Sequence, residues 1–378
     1  MPERSPLPAR ESTIAEAWGA GAGRALRLED GRALRVIFPG VPGGGSGPDF
    51  KGAMLDAGGD HLRGDVEVHL RASGWEAHGH DGDDGYRGVV LHVVGENDGP
   101  AAVTRHRSGR TIPILVLRLT GSSFPPPFTP PCCFASEQGY DVGAALRRMG
   151  GRRLRLKVSR IAPLLASDGR DQALYTLLLE TLAGPANRAS FATLARNLPL
   201  AALIERAAGR TTPDRTLALE AELKGAAATL SLRRAGLRPA ASPARRIAAA
   251  AKLIHRLWPE AGRESPLFGP GGAREPAAPL AAGSLLKLLK VEGVGRDMAA
   301  ELAVNAVLPV LAAEGAGEAE QVLAELPAPA TYGKLRSLER WLGHGERVFG
   351  SAAMIQGGLL LHGDYCTRGL CGRCPLSS

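Results

Sequence analysis

Residues 64–70 read Gly64-Asp65-Val66-Glu67-Val68-His69-Leu70, a strict alternation of polar and apolar side chains. A period of two belongs to a strand, because successive side chains of extended backbone point to opposite faces. Asp65, Glu67 and His69 therefore share one face, and Val66, Val68 and Leu70 the other. The apolar set marks a core. The polar set marks either a chemical site or an edge strand wetted by solvent, and its surroundings favour the site.

Upstream, Gly47-Pro48-Asp49-Phe50 follows a run of glycines. It places Asp49 at the start of the preceding strand, where its carboxylate converges on Glu67. Two oxygen ligands on adjacent strands, with open water positions, suit Mg2+ or Mn2+. Such an ion lowers the pKa of a bound water and offsets the charge that develops on a phosphodiester during in-line attack. His69, two residues past Glu67, is placed to orient or deprotonate that water. Five of the nine histidines, His61, His69, His78, His80 and His92, crowd into residues 61–92. Asp65, His78, His80 and His92 are the expected supporting groups. For His92, flanked on its strand face by Val90 and Val94, a hydrogen-bonded core histidine is an equal reading. Asp81, Asp83 and Asp84 offer more oxygens or simply a turn.

Around this segment, from Leu26 to Leu119, short alternating runs separated by glycine-rich turns read as strands, with a hairpin at Asp30-Gly31 and one helix at Ser12 to Trp18. The proline-rich stretch Gly121 to Cys133 cannot continue a sheet. Beyond it, apolar residues recur at helical spacing, as in ALYTLLLETLAG, PARRIAAAAKLIHRLW and DMAAELAVNAVLPVLAAEG. A loop is expected near residue 275, within ESPLFGPGGAREPAAPLAAGS. The 378 residues exceed what one core usually serves. The expected fold is α+β (α/β), with a mixed β-sheet module over residues 1–125 and an all-α domain over residues 126–378.

Residues 1–100 hold 16 acidic against 10 basic residues, a net of −6, while the whole chain is +8, so the remainder carries +14. An acidic module joined to a basic one suits carboxylates that hold cations and a surface that meets phosphates. Between Ala144 and Arg160 the residues Arg147, Arg148, Arg152, Arg153, Arg155, Lys157 and Arg160 occur without an acid. They could lie along a nucleic-acid backbone, or form a solvated helix face with Leu154, Leu156 and Val158 turned inward. Gly293-Val294-Gly295, between helices, offers backbone N–H groups to a phosphate, or is a tight turn. The start of the chain has no apolar run of signal-peptide length, and no segment reaches the roughly 20 apolar residues of a membrane helix. A cytoplasmic protein with no membrane partner is expected. The oligomeric state is not legible.

The spacing Pro-Asp, then Glu-x-His, resembles the signature of the PD-(D/E)XK phosphodiesterase superfamily, with His69 where those nucleases carry lysine. The resemblance implies a restriction-endonuclease-like module, with Asp49, Glu67 and His69 catalytic. The exchange replaces a permanent cation by a neutral base or ligand. A wider similarity runs along nearly the whole chain. GPDF, GDVEVHLRASGW, HGHDGDDGY, VVLHVV, PANRASFATLA, RPAASPARRIA, VNAVLP and the terminal C-x4-C-x2-CP together resemble the family catalogued as domain of unknown function 2851. That family implies a nuclease-like fold and brings no established activity.

Cys366, Cys371 and Cys374 fall within the last 13 residues. Their spacing lets three thiolates reach one ion or cluster, with Cys132 or Cys133 as the fourth ligand and His362 as a local substitute. Zn2+ and a [4Fe-4S] cluster both fit, and either would fasten the C-terminus much as iron–sulfur clusters do in some PD-(D/E)XK nucleases. The sequence thus points to a divergent metal-dependent phosphodiesterase acting on nucleic acid, DNA before RNA. Two other readings stay open: a non-catalytic nucleic-acid-binding adaptor on the same scaffold, and a transition-metal hydrolase of a small substrate built on the histidines.

Overall fold

The structure, a computed structural model, describes residues 10–20, 25–42, 47–118, 131–234, 237, 239–259, 265–268, 281–329, 332–343, 346–368, 370 and 373–376. The chain divides into two compact units. The first comprises residues up to Tyr140 together with Lys334–Glu346 and the segment from Leu361 on; the second comprises Asp141–Gly333 and Arg347–Leu360. Most of the proline-rich stretch after Gly121 lies outside the described residues.

The first unit is α+β, as its alternating runs predict. Its strands are β1 (Ala25–Arg27), β2 (Ala33–Phe38), β3 (Val41–Pro42), β4 (Phe50–Ala57), β5 (Asp60–Arg71), β6 (Val89–Glu96), β7 (Val103–Arg105) and β8 (Thr111–Val116). They form one mixed sheet in the order β1-β2-β4-β5-β6-β8-β7, with β3 pairing the start of β4. From β1 to β5 neighbours are antiparallel, β6 is parallel to both β5 and β8, and β7 returns antiparallel on β8. The first hairpin turns at Asp30-Gly31, where Gly31 takes a positive φ of 86° and the Asp30 carboxylate accepts from the Arg32 N–H at 3.1 Å.

Helix α1 (Glu11–Gly19) packs on β5 and β6. Its Ile14, Ala17 and Trp18 join Val66, Val68, Leu91 and Val93 in one core, so Val66 and Val68 lie in the core as expected, whereas Leu70, near the end of β5, is 41 % exposed and outside it. The opposite face carries Glu67 and His69 and is covered by a single-turn helix, α2 (Gly74–Ala77).

The second unit is helical among the described residues. Its helices are α3 (Val142–Asp168), α4 (Arg170–Ala183), α5 (Arg188–Asn197), α6 (Leu200–Arg206), α7 (Thr212–Ala227), α8 (Pro243–Leu257), α9 (Ala282–Leu289), α10 (Arg296–Leu302), α11 (Leu308–Ala313) and α12 (Ala319–Glu325). A π-helical turn, Ala303–Val307, joins α10 to α11. After α13 (Arg336–Gly343), which belongs to the first unit, α14 (Ala352–Asp364) begins in the second. The loop expected near residue 275 lies mostly outside the described residues, and its last residues, from Ala282 on, belong to α9. Leu156 is 47 % exposed while Leu154 is buried. The inward pairing expected for them fails because residues two apart on a helix lie some 200° apart around its axis.

Within this unit α3 and α14 meet backbone to backbone. A Cβ on Gly357 would lie 1.9 Å from the Leu146 carbonyl oxygen, and one on Gly150 would lie 2.2 Å from that of Ala353. Neither neighbour is a side chain that could swing aside. Gly357→Ala should therefore lower stability by about 1–3 kcal/mol, measured as a shift in the urea unfolding midpoint; an unshifted midpoint would mean that the helices separate without cost.

Candidate metal centre

β5 delivers Glu67 and His69 to the α2 face at 5 % and 2 % exposure. Parallel pairing aligns Glu67 with His92 of β6, which is fully buried. α2 and the turn after it then bring His78 and His80 over the same spot. His69 can sit beneath α2 because residue 74 is glycine: a Cβ there would come within 2.9 Å of the His69 ring. Trp75, fully buried with Tyr86, Val89 and Ile112, floors the site, and its Nε1 donates to the Arg105 carbonyl at 3.0 Å. The His80 ring stacks on Tyr86 at 3.8 Å.

One ligand nitrogen from each of His69, His78 and His80 lies within 4.8 Å of the others. The Glu67 Oε1 is 3.3 Å from His80 Nε2 and 3.8 Å from His69 Nε2. On its other side Glu67 Oε2 accepts the Asp49 backbone N–H at 3.1 Å, while Asp49 Oδ2 accepts the Val68 N–H at 3.0 Å. Behind the histidines runs a buried chain: His69 Nδ1 to His92 Nε2 at 2.9 Å, and His92 Nδ1 to Thr104 Oγ1 at 2.8 Å. His69 Nε2 lies 3.1 Å from His78 Nδ1.

The electrostatics follow from burial. Burial first, and then the neighbouring Asp49 charge, push the Glu67 carboxyl up to about 8. Partial burial also raises Asp49, opposed by the Val68 N–H. Burial, reinforced by His80 and His78, lowers His69 to about 4, and burial with His69 and His80 lowers His92 to about 3. His80 is lowered in the same way. At neutral pH His69, His80 and His92 are thus neutral imidazoles beside a carboxyl that a cation would readily deprotonate.

Of the residues expected from sequence, Glu67, His69, His78, His80 and His92 come together, with Asp49 at their margin. Asp65 does not join them. A register shift between Asp65 and Val66 turns it toward β4, where it accepts the Gly52 N–H at 3.0 Å. His61 is exposed at the start of β5. Asp83 caps the short turn Asp84–Tyr86 and Asp84 pairs with Arg107, so these acids build a turn. Sequence reasoning passed over Thr104, Tyr86 and Glu11, the last at the first turn of α1 with its charge felt at Glu67. Only the tyrosine, next to HGHDGDDG, carried a local signal.

The other candidate groups lie apart from this cluster. Cys132 and Cys133 are buried in a turn, Pro131–Phe134, that packs on α13. Cys374 is buried, and Cys366 opens the turn Cys366–Arg368 against β4. All four belong to the first unit, and Cys371 lies outside the described residues. The buried His362 Nε2 has no hydrogen-bond partner among the described residues. On α3, Arg147, Arg148, Arg152 and Arg160 are exposed, and Arg155 pairs with Glu320. Arg153 donates to Gln356 at 2.9 Å. Lys157 turns inward, donating to the Val304 carbonyl at 3.0 Å and to Asn305 Oδ1 at 2.7 Å, and burial lowers it to about 7. No helix among the described residues is long and apolar enough to cross a membrane.

A family model described as protein of unknown function, DUF2851, matches residues 21–231, more than half of the chain, and the chain belongs to that family. No curated protein and no solved structure matches it.

The shifted groups give the ion-free protein a defined pH response. Glu67 titrates near 4.5 unfolded and near 8 folded, so its burial costs nothing below pH 4.5 and increasingly more up to pH 8. His69 and His92 act oppositely: their contribution is complete above pH 6.5 and is lost as pH falls toward 4 and 3. Below pH 6.5 the two histidines outweigh Glu67, so stability should rise to about pH 6.5 and decline from there to pH 8; Glu67→Gln should flatten that decline and steepen the rise, as read by urea denaturation across pH in the presence of a chelator. A decline of unchanged slope would refute the assignment.

Proposed function

We propose that this DUF2851 protein is a metal-dependent phosphodiesterase whose ion is held by His69, His78, His80 and Glu67. The observation that carries the reading is the convergence of three imidazole nitrogens and one carboxylate oxygen, with Glu67 and His69 buried and His78 exposed. Nitrogen-rich donor sets favour Zn2+, Mn2+ or Fe2+ over Mg2+, which prefers oxygen ligands and keeps its water. Asp49 and Glu67 leave an oxygen-rich margin where Mg2+ or Mn2+ fits better. When bound, the ion would supply an acidified water and charge for a developing oxyanion.

The chain's own residues divide the remaining work. Glu67 spans the two margins, with Oε1 toward the histidines and Oε2 toward Asp49. Trp75 and Tyr86 exclude water from beneath the site. The placement of Asp49 at the start of β4, with Glu67 and His69 on the antiparallel neighbour β5, supports the nuclease-like reading of the module. For the substrate, the +14 carried beyond residue 100 and the exposed arginines of α3 favour a polyanion. Arg153 and Lys157 are committed to neighbours within the helical unit and contribute less. The spacing of Cys366, Cys371 and Cys374, with Cys132, Cys133, Cys366 and Cys374 all in the first unit, supports a structural Zn2+ or [4Fe-4S] site there.

Titration calorimetry with Zn2+ and Mn2+ should find one ion at the histidine site. Because Glu67 starts protonated, binding at pH 7 should release about one proton per ion, seen by comparing buffers of different ionisation enthalpy. His78→Ala or His80→Ala should weaken binding by at least about tenfold. The loaded wild-type protein should cleave DNA, or failing that RNA, and both variants should not. Tight ion binding without cleavage of either would overturn the phosphodiesterase and leave the adaptor, if the protein binds nucleic acid, or the small-substrate hydrolase, if it does not; absence of ion binding would remove the centre.

A further inference from the structure

We propose that Thr104 and His92 are positioning residues for the metal centre, holding His69 as the Nδ1–H tautomer with its Nε2 bare toward His78, His80 and Glu67. The inference rests on the metal-centre reading above and adds to it the residues that aim the ligand.

The argument is one of hydrogen-bond direction. A neutral imidazole has one N–H and one lone pair, and the His69 and His92 rings are both buried, facing each other and Thr104 with no carboxylate between them. Two such rings in series, joined by the 2.9 Å contact and ended by Thr104 at 2.8 Å, have only two arrangements without facing protons or facing lone pairs. In the first, Thr104 accepts from His92 Nδ1–H, His92 Nε2 accepts from His69 Nδ1–H, and His69 Nε2 is bare. In the second, every bond is reversed and the proton on His69 Nε2 points at His78 Nδ1, blocking ligation. A mixed arrangement would leave an unmet polar group in a site where it costs about 1–3 kcal/mol.

The choice falls to the end of the chain. Thr104 lies on β7 at the sheet margin and lines a cleft with Ser73, Asn97, Asp98 and Arg105. From there its hydroxyl proton can turn toward the cleft, which leaves its oxygen available to His92. His92 has no such outlet, since it is fully buried between the His69 and Trp75 rings. Gly74 complements this: it seats the His69 ring, while Thr104 decides which nitrogen carries the proton. Outer partners of this kind orient a ligating imidazole and raise its affinity for the ion.

Long-range 1H–15N correlation spectra of the metal-free protein read the tautomers directly. Both His69 and His92 should carry the proton on Nδ1 in the wild type. Thr104→Val, which keeps the shape and removes the acceptor, should shift that proton and weaken Zn2+ binding about tenfold, and Thr104→Ser should restore both. Denaturation curves of the two variants show whether either unfolds. An Nε2–H His69 in the wild type overturns the proposal, as does a valine variant with unchanged tautomers and unchanged Zn2+ affinity. A wild type with both rings Nδ1–H that binds no Zn2+ would sink the metal centre and leave the tautomer assignment standing.

Discussion

The parallel pairing of β5 with β6 is the constraint on which the candidate site depends. It sets Glu67 level with His92 and places His69 on the same covered face, so three ionisable side chains are buried where a sheet normally stores valine and isoleucine. Groups that polar cannot be hidden without partners. They find them in one another, in Thr104 and in the backbone of Asp49, and the neutral imidazoles with an uncharged carboxyl are the form in which this burial is tolerable.

Much of this was legible from the alternation at residues 64–70. It separated Val66 and Val68, which reach the α1 core, from Glu67 and His69, which do not. The pattern over-reached at Asp65, because a period-two argument assumes an unbroken ladder and the register shift lies one residue further on. Histidine density pointed to His78 and His80 without showing what folds them back. That is done by Gly74, Trp75 and the short α2, a turn too brief to leave a periodic trace. Thr104 and Glu11 were invisible for a different reason: each is ordinary in its own segment and acquires a role only through neighbours far along the chain.

The helical unit shows the limits of counting charge. Arg148, Arg152 and Lys157 look alike in a basic run, yet helical rotation exposes the arginines and buries the lysine. Lys157 meets the Val304 carbonyl within the π-helical turn. Its ammonium is part of the packing of that turn. Apolar periodicity found the helices readily, but it could not anticipate a local change of pitch, nor the glycines that let α3 and α14 touch through their main chains.

The division of the chain has a consequence for the order in which it is made. The sheet unit is built mostly from the first 140 residues, but α13 and the segment carrying Cys366 and Cys374 return to it from beyond residue 333. During synthesis the sheet and its histidines can form early. The parts of that unit supplied by the late segments must wait until the residues beyond 333 have left the ribosome. The helical unit, encoded between, has most of its residues at hand sooner, so the first unit to begin is the last to be completed.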